Sequence, residues 1–292
     1  MLGPMMEEAD VSLGPRGLSL RVCRWGGGGP TALILHGYLD QGAAWGPVAE
    51  QLVARGARVV APDHRGHGRS PGAPPGFRYH FWDYVADVDA LVRALGPGPV
   101  DLVGHSMGGT IAAVFAGARP DRVRRLVLVE GLGPPDTRAV AIQRGRAFLD
   151  DLAKQRGHEP IDDVAAAAKK MRRMAPTLPE ASLPGLAARL TEPGPDGKLR
   201  WTWDPLHRVT FPYPFDEVVF RAWLAEITAP VLAVRGDASP YGTFSLERAS
   251  SIADVRHLVL PGVGHMVHHD APGPLAGAIG DFFGYELPQG SP

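Results

Sequence analysis

One cysteine, Cys23, in 292 residues leaves no pair for an internal disulfide, the usage expected of a reducing compartment. Charge of one sign is missing as well: 30 Lys and Arg stand against 31 Asp and Glu, for a formal net charge of −1. Such a balance supplies no field for nucleic acid or an anionic membrane surface. No apolar run is long enough to span a bilayer, and residues 1–17 lack a basic segment followed by an apolar one, so neither an anchor nor a secretory signal is read. Nothing looks like a phosphate cradle, and the grouped histidines His265, His268 and His269 have no carboxylate motif beside them. The expectation is a cytoplasmic protein acting on a small molecule, with no metal, no organic cofactor, no nucleic acid and no membrane partner.

What is present is a series of continuous apolar runs. "TALILHG" (31–37), "ARVVAPD" (57–63), "VDLVGHS" (100–106), "RRLVLVEG" (124–131), "APVLAVRGD" (229–237) and "RHLVLPG" (256–262) have the pattern of parallel strands buried on both faces. Earlier, Leu18, Leu20 and Val22 alternate with Ser19, Arg21 and Cys23 after a Gly-Pro-Arg-Gly turn, which predicts an exposed antiparallel hairpin. Helical spacing is clearest from Phe81 to Leu95, and further helices are predicted near Trp45, at Met107 and near Pro272. Strand and helix in alternation give a mostly parallel, doubly wound α/β sheet with right-handed crossovers.

The alternation breaks once. Residues 134–225 contain no convincing strand, but they hold helix-like segments such as "DDVAAAAKKMRRM" (162–174) and a Pro/Gly-rich stretch, "TEPGPDGK". This block predicts a mainly helical insertion above the C-terminal edge of the sheet, where ligands of open α/β sheets bind. The core then comprises residues 1–133 and 226–292.

Chemistry collects at that edge. Gly104-His105-Ser106-Met107-Gly108 fits G-x-S-x-G. Gly supplies 37 of the 292 residues, so the pentapeptide alone is weak, but it stands where a buried strand passes into a helix, the context of a nucleophile elbow. A serine hydroxyl needs a base, and the base needs an orienting acid. In "LPGVGHMVHHDAP" His265 lies nearest the strand end and is the candidate base. His268 and His269 are read as surface residues and Asp270 as a helix N-cap. Asp237, ending "VLAVRGD", is the expected acid, in the chain order Ser, Asp, His; Glu130, ending "LVLVEG", is the alternative. Backbone N–H groups of Tyr38 and Met107 are the expected oxyanion donors. His36 reads as a tie within its own loop. Seven of the 22 Phe, Trp and Tyr lie between residues 201 and 223. Among them Trp201, Trp203 and Phe211 are candidate substrate-binding residues, while the same rings equally fit packing of the insertion onto the core. His207 and Arg208 are candidates to face the same pocket and bind a polar group, with a surface arginine the safer reading.

At these residues the chain resembles the serine-nucleophile branch of the α/β-hydrolase fold family, with a cap. "HGYLDQGAAW", "PDHRGHGRS", "GHSMGG", "RGD" and "GVGH" match its successive motifs in order, over the whole chain except the insertion. The resemblance implies a hydrolase of small or medium apolar carboxylic esters, with thioesters and lactones open to the same chemistry. It equally allows a C–C bond hydrolase, a cofactor-free haloperoxidase or perhydrolase, or a ligand-binding member without turnover. It also implies that Asp63–Ser70 is a structural turn in which Arg65 has no chemical part.

Overall fold

A computed structural model describes residues 6–14, 18–154, 157–174, 178–241 and 247–286. Among these residues ten strands form two sheets: β1 (Glu7–Ser12), β2 (Ser19–Trp25), β3 (Thr31–Leu35), β4 (Arg58–Pro62), β5 (Val100–His105), β6 (Val123–Val129), β7 (Thr191–Pro193), β8 (Leu199–Trp201), β9 (Val231–Gly236) and β10 (Val255–Leu260). The large sheet runs β1-β2-β4-β3-β5-β6-β9-β10. β2 is antiparallel to β1 and to β4, and every other pairing is parallel. The predicted hairpin is thus β1–β2, although part of its Gly-Pro-Arg-Gly turn lies outside the described residues. Each continuous apolar run is a strand of this sheet. Both faces are covered in β5, where all six residues are buried, whereas β10, expected to be buried on both faces, is the edge strand and exposes Arg256, His257 and Val259.

Helices α1 (Gly46–Ala54), α2 (Phe81–Leu95), α3 (Met107–Ala118), α4 (Ala141–Ala153), α5 (Val164–Met174), α6 (Leu183–Arg189), α7 (Glu217–Ala225) and α8 (Pro272–Phe283) complete the described architecture. On one face of the sheet Leu33, Leu35, Leu102 and Leu128 pack with Val85, Leu91, Ile111 and Phe115 of α2 and α3. On the other, Ile34, Val59, Val103 and Val127 meet Trp45, Leu52, Leu275 and Ile279. Among the described residues no helix is long and apolar enough to cross a membrane.

The predicted insertion differs from expectation in two respects. "TEPGPDGK" supplies β7 and the turn of a hairpin in which β7 pairs antiparallel with β8, Thr191 opposite Trp201. Its glycines and prolines form the turn of a sheet too short to show as alternation. A small core of Ile161, Ala167, Met171, Leu178, Leu183, Leu186 and Leu190 lies beneath this hairpin and α5–α6. α7, by contrast, places Phe220 and Leu224 in the core of the large sheet.

Buried histidines give the fold a pH dependence. Burial pulls His64 down to about 4 and His268 down to about 3, from an ordinary 6.5. The unfolded chain therefore takes up protons below about pH 6.5 that the folded chain refuses until the pH falls much further. Their stabilisation is complete above pH 6.5 and is lost as the pH falls through that window, by up to about 1.4 kcal/mol per pH unit for each histidine. Asp63, pushed up to about 6 by burial, acts with the opposite sign between its ordinary value and pH 6, as one group against several. The urea midpoint is expected to be lower at pH 5.5 than at pH 7.5. An equal or higher midpoint at pH 5.5 would contradict the neutral burial of these rings.

Candidate active site

Ser106 stands between the end of β5 and the first residue of α3, with φ 51° and ψ −116°, a conformation that L-residues avoid unless the surroundings impose it. Its N–H donates to Val129 O at 3.0 Å, and its carbonyl accepts from Thr110 N–H at 3.0 Å. The glycines around it are required by contact. A Cβ at 104 would lie 2.5 Å from Gly108 O, and one at 108 would lie 2.3 Å from Leu35 O.

His265, from the loop after β10, brings Nε2 to 3.0 Å from Ser106 Oγ. Its Nδ1 lies 3.2 Å from Glu130 Oε2. Glu130 follows β6, the strand beside β5, and its side chain is 1% exposed. Gly236 N–H donates to Oε1 at 2.8 Å, and Ser239 O–H donates to Oε2 at 2.6 Å. Glu130, too, has a positive φ, 51°. Arg248, itself 1% exposed, donates to the carbonyls of Leu132, Gly133 and Pro134 at 2.7–2.9 Å and pairs with Glu217, which fixes the segment that follows Glu130.

The expected approach of Asp237 to His265 is not what the structure contains. Asp237 Oδ1 accepts Gly262 N–H at 2.6 Å, so this carboxylate ties the loop after β9 to the turn after β10. The alternative carboxylate, Glu130, occupies the position beneath the imidazole. Ser239 carried no signal in the sequence, since nothing there marks a serine two residues past an expected acid as a donor to a different one.

Two further expectations change. His268 is fully buried rather than on the surface: Nε2 lies 3.0 Å from Asp40 Oδ2, and the ring stacks on Trp45 at 4.5 Å. One helical turn, Val267–Asp270, rotates His268 inward. Asp270 does not cap a helix; its Oδ2 accepts Gly264 N–H at 2.8 Å and so braces the loop that carries His265. His36 does bind its loop together, with Nδ1 2.7 Å from Gly37 O and Nε2 accepting His64 N–H at 2.9 Å. Arg65 pairs with Asp87 at 2.5 Å.

Tyr38 and Met107 flank the serine from two sides. Met107 opens α3, and Gly37, just before Tyr38, is so close that a Cβ on it would lie 3.3 Å from Ser106 Cβ. The Tyr38 hydroxyl donates to His207 O at 2.6 Å, while the His207 ring stacks between His67 and Tyr79 at 4.1 and 4.0 Å. The Tyr38 loop is thereby joined to the 205–208 segment. Beyond Tyr38 opens a cleft of about 800 Å³, lined among others by Leu39, Trp201, Trp203 and Arg208. The two indoles are near parallel, 6.4 Å apart and 16° between planes. Phe211 is not part of that lining; its ring meets Tyr213 and His80 edge-on, and its carbonyl accepts from Arg144. Phe215 and Phe220 face each other at 5.2 Å on the core side, so the aromatic cluster is divided between cleft and packing.

The α/β-hydrolase fold model matches residues 30–272, and the chain belongs to that family; it is an enzyme of the hydrolase class. It is 33% identical to the thioesterase domain from the curacin biosynthetic pathway, with a TM-score of 0.83 over 94% of this chain and 99% of that one. The 2-(acetamidomethylene)succinate hydrolase of Mesorhizobium japonicum is 28% identical over 88% of each chain. Lipase LipV of Mycobacterium tuberculosis is 43% identical over 117 residues, which span 39% of this chain and 42% of the lipase.

Proposed function

We propose that the protein is a serine hydrolase of small or medium apolar carboxylic esters, thioesters included, acting through an acyl-enzyme. The observation that carries this is the continuous relay Ser106 Oγ, His265, Glu130, at 3.0 and 3.2 Å. In the reading it supports, Oγ attacks the substrate carbonyl carbon as Nε2 of His265 takes the hydroxyl proton. The backbone N–H groups of Tyr38 and Met107 receive the oxyanion. When the tetrahedral adduct collapses, the bond to the leaving alkoxide or thiolate breaks and His265 returns the proton to it. Water then repeats the sequence on the acyl ester and restores Ser106. Glu130 holds the Nδ1–H tautomer and stabilises the imidazolium. Residues 134–225, apart from α7, whose Phe220 and Leu224 pack in the core of the large sheet, act as the cap over a core of 1–133 and 226–292, with Trp201 and Trp203 as substrate-facing walls. The curacin pathway relative's name, a thioesterase domain, supports the inclusion of thioesters.

A fluorophosphonate probe tests the reading. It is expected to modify one residue, Ser106, identified by peptide mass, and to block hydrolysis of p-nitrophenyl butyrate. Modification elsewhere, or full turnover after labelling, overturns it.

Ser239 has a positioning role in this reading, because it donates to the same Glu130 oxygen that faces His265. Ser239→Ala leaves Glu130 one donor poorer and less constrained. Turnover is expected to fall about 10-fold in kcat with KM little changed. With less of its charge engaged by a donor, the carboxylate stabilises the imidazolium more, so the acid limb of the kcat profile moves to higher pH. Unchanged kcat and an unmoved limb would remove Ser239 from the relay.

A further inference from the structure

The cleft beyond Tyr38 carries a charge pattern that ester hydrolysis alone does not require. Lys154 at the end of α4, Lys170 and Arg173 on α5, and Arg208 beside His207 all line it. None of the four has a carboxylate within ion-pair distance among the described residues, whereas Arg65, Arg93, Arg200 and Arg221 do. The facing acids are Asp151 and Glu159. Asp151 is already occupied, accepting from Thr210 N–H and O–H at 2.9 and 2.6 Å. The lining therefore has two more positive than negative side chains, with the unpaired cations grouped around the Trp201–Trp203 wall. Grouping like charges without partners opposes folding, and a concave wall strengthens their combined field on a ligand.

We propose that this cleft binds a phosphate-bearing end of the substrate, so that the enzyme prefers acyl thioesters whose thiol leaving group is phosphorylated. This rests on the ester and thioester reading of the Ser106 site. The geometry divides the work. Tyr38 lines the cleft, and Gly37 just before it abuts Ser106, so a substrate with its scissile carbonyl at Ser106 extends the remote end of its leaving group past Tyr38 toward Trp201, Trp203 and the cations. A phosphate group, anionic with oxygens facing several directions, suits two arginines and two lysines arriving from three separate segments. The same phosphorylated pantetheine arm occurs on coenzyme A and on carrier proteins, and one substrate series separates its phosphates.

Hexanoyl-coenzyme A, hexanoyl-4′-phosphopantetheine and hexanoyl-pantetheine share the acyl group and the bond cleaved, and differ in phosphate. Both phosphorylated substrates are expected to exceed hexanoyl-pantetheine in kcat/KM by about 10-fold or more at low salt, an advantage that shrinks in 0.3 M NaCl. Equal rates for the two assign recognition to the arm's own phosphate, as on a carrier. A higher rate for the coenzyme adds the nucleotide phosphates, and either order supports the proposal. In the triple variant Lys170→Gln, Arg173→Gln, Arg208→Gln the ratio of phosphorylated to unphosphorylated substrate is expected to fall to about one. A wild-type ratio near one, or a triple variant that keeps its ratio, overturns it. Calorimetric titration of coenzyme A into Ser106→Ala protein answers the question without turnover: binding that the triple variant abolishes supports the cleft, and no binding overturns it. Failure of the Ser106 reading would show instead in the fluorophosphonate experiment, which involves none of these cations.

Discussion

Ser106→Ala is expected to lower kcat/KM for p-nitrophenyl esters by about 10⁵-fold or more, as deletion of a nucleophile does in other serine hydrolases, while the protein stays folded. The substitution removes one oxygen and leaves every structural reason for the turn in place. Alanine retains the Cβ, so the cost of φ 51° is the same before and after. The glycine contacts at 104 and 108 are untouched, as are the backbone hydrogen bonds of residue 106 to Val129 and Thr110. What is lost locally is one side-chain hydrogen bond to His265, worth about 1 kcal/mol at most in a partly solvated site. Thermal or urea unfolding of the variant should therefore lie close to wild type. Some rate above that in water should persist if the Tyr38 and Met107 N–H groups still polarise a bound carbonyl. A variant with wild-type turnover would remove Ser106 from the chemistry. A variant that unfolds would leave the fluorophosphonate label on the wild-type protein as the deciding measurement.

Most of the sheet was legible because burial on both faces leaves a mark that a single chain carries by itself: six apolar runs became six strands, although the edge strand β10 is exposed at Arg256, His257 and Val259, and Phe81–Leu95 became α2 with the same bounds. Ser106 and His265 were legible for a related reason. A strand end fixes a nearby residue's position in the fold, and Ser106 follows β5 directly while His265 stands in the loop five residues beyond β10. The choice between Asp237 and Glu130 was not, because each also ends a strand. It depends on the loop backbone, on the positive φ of Glu130 and on which carboxylate Gly236, Ser239 and Gly262 address, and none of these has a residue-type signature. His268 was misread because two adjacent histidines look alike in sequence, and a single helical turn then sends one of them under Trp45. The β7–β8 hairpin escaped because three-residue strands are shorter than any periodicity that would reveal them. Three non-glycine residues have positive φ among those described, Leu39, Ser106 and Glu130. Two of them belong to the relay and the third follows Tyr38, so backbone strain locates this site better than any composition does.

The same geometry sets the expected contrast between the two carboxylates. Glu130→Gln should reduce kcat by up to about 10⁴-fold, because the amide no longer stabilises an imidazolium and can present its NH₂ to Nδ1, which favours the tautomer with the proton on Nε2. That tautomer cannot accept the proton of Ser106. Gln has nearly the shape of Glu, so its Oε1 can still accept Gly236 N–H, and loss of the fold is not expected to account for the effect. Asp237→Asn should cost less than about 10-fold, since the Asn oxygen can still accept Gly262 N–H and the relay is untouched. Burst kinetics would show which step fails: with Glu130→Gln both acylation and deacylation should slow, because His265 serves as base in each. If the two substitutions exchanged effects, the acid would be Asp237, which would require its loop to turn away from Gly262 during catalysis. If Glu130→Gln alone were severe but Glu130→Asp recovered most of the rate, the requirement would be a negative charge beneath the imidazole rather than the particular length of the glutamate arm. Recovery by Asp would be partial, because shortening the side chain by one methylene withdraws the carboxylate from Gly236, Ser239 and His265 together.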